Sequence, residues 1–160
     1  MTRRMMMNKP TPFKIISDIV SKTDYPWEYE PDLYEWTHRG IECVARRNMT
    51  HGAWCGYVDV PREVWESFRI LSVNGTDTLD DHIDVHGGVT YSEDNLDKDA
   101  FRVGFDCAHG GDKLPRIRSG EVYMDKVFPQ DIYRDLPFVI AECESMVDQI
   151  LTVTGGSTSN

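Results

Sequence analysis

An apolar stripe near the C-terminal end constrains this chain more than any other feature. Ile132, Leu136, Val139, Ile140, Cys143, Met146, Val147, Ile150 and Leu151 recur at three- and four-residue steps, the spacing that places side chains on one helix face. A stripe of about five turns, at 3.6 residues each, has to be buried against another element. Pro137 fits only close to the helix start, where backbone N–H groups lack an intrahelical partner. Asp131 or Asp135 is placed to cap that start.

The partner for the stripe lies upstream, in short segments that read as strands. Leu33–His38 and Ile41–Arg46 flank Arg39-Gly40, a two-residue turn signal, and predict a hairpin. Ala53–Val60 reads as a third strand ended by Pro61, and Arg62–Phe68 as a short helix with Val64, Trp65 and Phe68 on one side. Gly88–Tyr91 reads as a short strand. In Phe101–Cys107, Phe101, Val103, Phe105 and Cys107 alternate onto one face. Residues 110–128 are rich in Gly, Pro and charge and read as a long loop. Strands first and a long helix last predict an α+β fold, an antiparallel sheet with the C-terminal helix packed on one face.

At 160 residues the chain fits one domain. We expect it to span 32–153, after an N-terminal arm (1–31) and before a disordered tail (154–160). The arm carries Pro10, Pro12, Pro26 and Pro31. Phe13, Ile15, Ile16, Ile19 and Val20 supply the apolar face of one short helix within it. Its bases outnumber its acids, although the whole chain sums to −10. That charge argues against direct nucleic-acid binding through phosphate contacts, which needs clustered Lys and Arg. No apolar run reaches the length of a membrane span, and the first ten residues lack the apolar core of a secretory signal. Cys43, Cys55, Cys107 and Cys143 form no CxxC pair. They read as reduced thiols of a cytoplasmic protein.

The acidic excess is concentrated. From Asp77 to Asp112 ten acids face two bases, Lys98 and Arg102. Two segments there combine His, Asp and a Gly pair: Asp80–Gly88 and Gly104–Asp112. Glycines permit positive φ and close backbone approach, so His86, Gly87, Gly88, Asp106, His109, Gly110, Gly111 and Asp112 are candidates for holding a small ligand. Imidazole and carboxylate also suit a divalent metal, for which His86, Asp106, His109 and Asp112 are the candidate ligands and His82 and Asp84 the substitutes. Convergence of Asp106 and His109 requires the chain to turn near Cys107 or Ala108, because a regular strand would point them to opposite faces. Cys107 and His109 could form a thiol–imidazole pair, but Cys107 completes an apolar row and reads better as a core residue. His38 and His51 read as turn or surface residues. Asp80, Asp81 and Asp84, in the acidic stretch, are candidates for contacting a partner.

Taken together, the blocks Glu35–Cys43, Cys55–Pro61, Val85–Tyr91, Gly104–Asp112 and Tyr133–Leu136 resemble a family of small uncharacterised proteins of bacteriophage genomes and prophages. The most distinctive are an HGG(V/I/L)TY block, here His86–Tyr91, and a GFDCAH block, here Gly104–His109. The resemblance covers about Glu35 to Leu151 and implies a phage-encoded accessory protein acting in the host cytoplasm. It carries over no catalytic residue. The longer, proline-bearing arm departs from the family pattern.

Two functions are therefore expected. In the first, the protein binds a host factor, such as a defence or nucleic-acid enzyme, or a small ligand. In the second, a metal held by the His/Asp site drives hydrolysis of a phosphoester or nucleotide. An acidic surface repels such substrates, and the chain has no P-loop, GxSxG or HExxH pattern. Binding is the favoured expectation.

Overall fold

A computed structural model describes residues 26–72, 78–116, 118–119, 122–123 and 129–155. The helix expected within Phe13–Val20, most of the arm and the last five residues of the tail lie outside these. Seven strands and two α-helices are described: β1 (Leu33–His38), β2 (Ile41–Arg47), β3 (Trp54–Pro61), α1 (Arg62–Ser72), β4 (Tyr91–Asn95), β5 (Ala100–Asp106), β6 (Arg118–Ser119), β7 (Val122–Tyr123) and α2 (Leu136–Thr154). The first five strands form one sheet in the order β1-β2-β3-β5-β4, every pair antiparallel. β6 and β7 pair within the segment expected as a long loop.

Alternation decides which face is covered. Ile41, Cys43 and Ala45 of β2, Trp54, Val58 and Val60 of β3, and Val103 and Phe105 of β5 are buried in one core with α1 and α2. The α2 stripe supplies Leu136, Val139, Cys143, Met146, Val147, Ile150 and Leu151, all buried. The close approach of α2 to the sheet depends on Gly56, where an added Cβ would stand 2.5 Å from Phe105 Cε1 and 2.7 Å from Cys143 Sγ. On the opposite face Asp59 is buried beneath Arg102, which donates from Nε and Nη2 at 2.8 and 2.9 Å.

Local chemistry sets the element ends. Arg39 and Gly40 both have positive φ, as a two-residue hairpin turn requires, and His38 pairs with Ile41 across it. The His38 imidazole reaches past the turn to α2, with Nε2 2.9 Å from Asp148 Oδ1 and Nδ1 3.7 Å from Glu144 Oε2. Asp135 caps α2 by accepting from the Phe138 N–H at 3.0 Å, and Pro137 lies in the first turn.

Two sequence expectations shift. Ile132 matches the helical period but precedes the helix and is 54% exposed; its backbone bonds instead to Gly111 and Lys113. The strand expected at Gly88–Tyr91 begins only at Tyr91. Gly87 and Gly88 have positive φ, and the Val89 N–H is donated to the Asp80 carboxylate, so the backbone joins the ladder later.

The segment before β1 is tied to the domain by a buried polar network. Glu30 accepts from the hydroxyl of Tyr133, from Trp54 Nε1 at 3.3 Å and from the Leu136 N–H at 2.7 Å. Arg47, almost fully buried, donates to Asp32, Gly52 O and Tyr133.

Candidate functional site

The turn before β4, the loop after β5 and the segment leading into α2 meet at one carboxylate. The first segment is a tight turn, closed by the Gly88 N–H donating to Val85 O at 2.9 Å. It presents His86 and needs positive φ at Gly87. The second begins where β5 ends at Asp106. Asp106 Oδ1 accepts from the Ala108 N–H at 3.1 Å, which turns the chain where the sequence requires it to turn. His109 Nε2 then comes within 3.2 Å of Asp106 Oδ1. The third is an isolated parallel bridge between Asp112 and Ile132, in which Ile132 donates to Gly111 O and Lys113 donates to Ile132 O. This bridge brings Arg134 beside Asp112.

Asp112, with a side chain 1% exposed, accepts three hydrogen bonds. His86 Nε2 donates to Oδ2 at 2.8 Å, the His109 backbone N–H to Oδ2 at 3.0 Å, and Arg134 Nε to Oδ1 at 3.0 Å. Burial alone would push this carboxyl up, but the donors outweigh it and hold Asp112 below the usual carboxylate range. Phe138 packs against the group. Its ring stands edge-on to His86 with centroids 5.3 Å apart, and the Arg134 guanidinium lies 5.1 Å from its centroid. The imidazoles of His86 and His109 are 5.7 Å apart, edge to face. Glu142 of α2 accepts from the His86 backbone N–H at 2.9 Å.

The structure thus brings together His86, Gly87, Asp106, His109 and Asp112. An added Cβ at Gly87 would lie 2.1 Å from His109 Nε2, so the ring rests directly on this glycine. Gly88 instead faces the Asp80 carboxylate, and Gly110 and Gly111 border open space. Arg134, Phe138 and Glu142 complete the cluster. Sequence reasoning assigned them no role here, because their link to it runs through the Asp112–Ile132 bridge and no local pattern announces it.

The metal expectation finds no support among the described residues. Among the described residues no group of three or more His, Cys, Asp or Glu side chains is arranged to hold a metal ion. The reason is the three donors on Asp112: both oxygens are engaged, and His86 directs Nε2 at the carboxylate rather than at a shared centre. Cys107 takes the core position that its apolar row predicts. Its thiol is pushed up by burial and by the nearby carboxylates, so it is held protonated.

The acids proposed as partner contacts divide. Asp80 Oδ1 accepts from the Val89 N–H at 2.5 Å. Asp81 Oδ2 accepts from the Thr78 N–H at 2.7 Å and from its hydroxyl at 3.0 Å, bonds that lower its carboxyl. Both are exposed but fix their own loop. Asp84 is exposed, and only its backbone is engaged, with Gln149 of α2.

No family model, curated protein or solved structure matches this chain.

No helix among the described residues is long and apolar enough to cross a membrane.

Proposed function

We propose that this protein works by binding a host protein, as a phage-encoded accessory factor of the kind its HGGVTY and GFDCAH blocks resemble. The observation that carries the reading is the engagement of Asp112. Its three bonds, from the His86 and Arg134 side chains and from the His109 backbone N–H, brace the loops around it. Asp84, Glu93 and Asp97 are exposed acids on a chain whose net charge is −10. An excess of negative charge favours fast association with a basic partner and discriminates against acidic ones. Metal-assisted hydrolysis has no ligand geometry to support it among the described residues.

Native mass spectrometry of the protein recovered from a bacterial host lysate tests the reading. The expected result is a stoichiometric host protein, released by salt and absent when Asp84, Glu93 and Asp97 are all changed to Lys. A folded protein that retains its partner after this reversal would remove the acidic surface from the contact. A bound nucleotide that depends on His86 or His109, with no protein partner, would replace the reading with small-ligand binding.

A further inference from the structure

The brace at Asp112 uses only one nitrogen of His86. Nε2 is held at 2.8 Å by a carboxylate that stays ionised, so the neutral ring carries its proton on Nε2 and a lone pair on Nδ1. His109 Nε2 is shielded from solvent, 3.2 Å from Asp106 Oδ1, which favours the same tautomer. Neither Nδ1 has a partner among the described residues. Asp112 is closed off, but the two histidine side chains keep 19% and 33% of their surface open. Arg134 is committed in the same one-sided way. Its Nε donates to Asp112 at 3.0 Å, while its two Nη groups have no partner among the described residues. The loop beside His109 leaves room, since a Cβ added at Gly110 or Gly111 would meet nothing within 4 Å.

Two carboxylate-held imidazoles and a guanidinium fork are thus left for a ligand. The ring centroids are 5.7 Å apart, so both rings can reach, at about 2.6–3.2 Å, oxygens bonded to one central atom. A guanidinium fork matches two oxygens of a phosphate. The group holds no nucleophile of its own. Cys107 is buried in the core, and burial raises the thiol of Cys55, which faces Asp106 across the β3–β5 ladder. A hydroxyl carried by the substrate supplies the attacking oxygen already in place. The net charge of −10 selects against a long polyanion and leaves a short one.

We propose that His86 and His109 are an acid–base pair that cleaves a short phosphodiester bearing a neighbouring hydroxyl, with Arg134 on its phosphate. Nδ1 of one ring takes the hydroxyl proton, the freed oxygen bonds to phosphorus, and the bond from phosphorus to the leaving oxygen breaks. The other ring, as imidazolium, gives its Nδ1 proton to the leaving oxygen. The products are a cyclic phosphodiester and an alcohol, and no further reactant is consumed. Asp112 and Asp106 are positioning residues. The activity goes beyond the host-protein reading, and either can fail without the other.

The full-length protein is incubated in EDTA with a complete set of ribodinucleoside monophosphates and followed by phosphorus NMR. At least one should yield a 2′,3′-cyclic phosphate, and its 2′-deoxy analogue should stay intact. His86→Asn and His109→Asn should each lower kcat at least about a hundredfold, and each should remove one limb of a bell-shaped pH–rate profile. Arg134→Gln should raise KM. Because His86 also braces the turn before β4, a second measurement uses the unaltered protein: the unreactive deoxy analogue should shift the ring C–H signals of both His86 and His109 saturably. Absence of cyclic phosphate from every dinucleotide, cleavage that persists in both folded histidine variants, or a deoxy analogue that moves neither ring would overturn the proposal.

Discussion

His86 Nε2 stands 2.8 Å from Oδ2 of Asp112, a carboxylate buried to 1% exposure, and this pair joins the turn before β4 to the loop after β5. Loss of the carboxylate leaves His86 and Arg134 without their shared acceptor. Asp112→Ala should cost about 3 kcal/mol, the lower end for a broken buried pair because both donors are partly exposed. Asp112→Asn, which keeps one acceptor oxygen, should cost less. Urea unfolding checks both, and a loss under 1 kcal/mol for Asp112→Ala would contradict the bracing role.

Acid stability should follow Asp59 and Asp112. Burial pushes each carboxyl up, but in both the hydrogen bonds prevail and the net shift is downward: Arg102 and Asn95 act on Asp59, and His86, the His109 N–H and Arg134 on Asp112. An unfolded Asp titrates near pH 3.9. Below that value and above the folded pKa the unfolded chain binds more protons, so stability rises with pH there. The contribution is complete above about pH 5 and is lost as pH falls through the lowered folded values. Urea midpoints between pH 2 and 6 should fall steeply in the parent and more gently in Asp59→Asn and Asp112→Asn. An unchanged slope in both variants would refute the assignment.

The glycines of the site should respond unequally to Ala. Gly87 has φ +69 and the His109 ring against it, so Gly87→Ala should cost at least about 1–2 kcal/mol from the backbone alone. It should also displace the His109 ring signals in NMR. Gly110 has negative φ and open space around it, so Gly110→Ala should stay within about 0.5 kcal/mol of the parent. Comparable losses at the two positions would contradict the packing of His109 on Gly87.

Thiol reactivity should be confined to one residue. Cys43, Cys107 and Cys143 are buried, and burial pushes the Cys107 and Cys143 thiols up; Cys55 is half-buried and raised as well. A disulfide exchange reagent should label native protein once, at Cys55, more slowly than it labels a free thiol, and should label it four times after unfolding. Mass spectrometry of the labelled peptides identifies the site. Native labelling of Cys143 would show the core to be open.

Much of the fold was legible because periodicity and turn chemistry are local. The α2 stripe, the Arg39-Gly40 turn and the alternation of β5 each lie within one short window, and each appears in the structure with ends displaced by only a few residues. The two shifted elements share a cause. Ile132 and Val89 carry the right residue types, but their backbone groups are taken by Gly111 and Asp80, partners that hydrophobic pattern does not reveal. The site was half legible. His86, Asp106, His109 and Asp112 stood out by chemistry and do converge, yet Asp112 accepts from Arg134, 22 residues on, instead of offering a free ligand oxygen. His38, expected as a turn residue, reaches a carboxylate 110 residues away. Connections of that length arise from tertiary packing, and the sequence carries no spacing rule for them.

The three bonds on Asp112 also bear on how this region comes apart. His86, His109 and Arg134 belong to three separate stretches of chain, and each stretch is held partly through the same two oxygens. A fluctuation that frees one stretch weakens the hold on the others. The turn before β4, the loop after β5 and the lead-in to α2 should therefore behave as one cooperative opening unit, with the amide protons of Gly88, Asp112 and Ile132 exchanging with solvent at a common free energy.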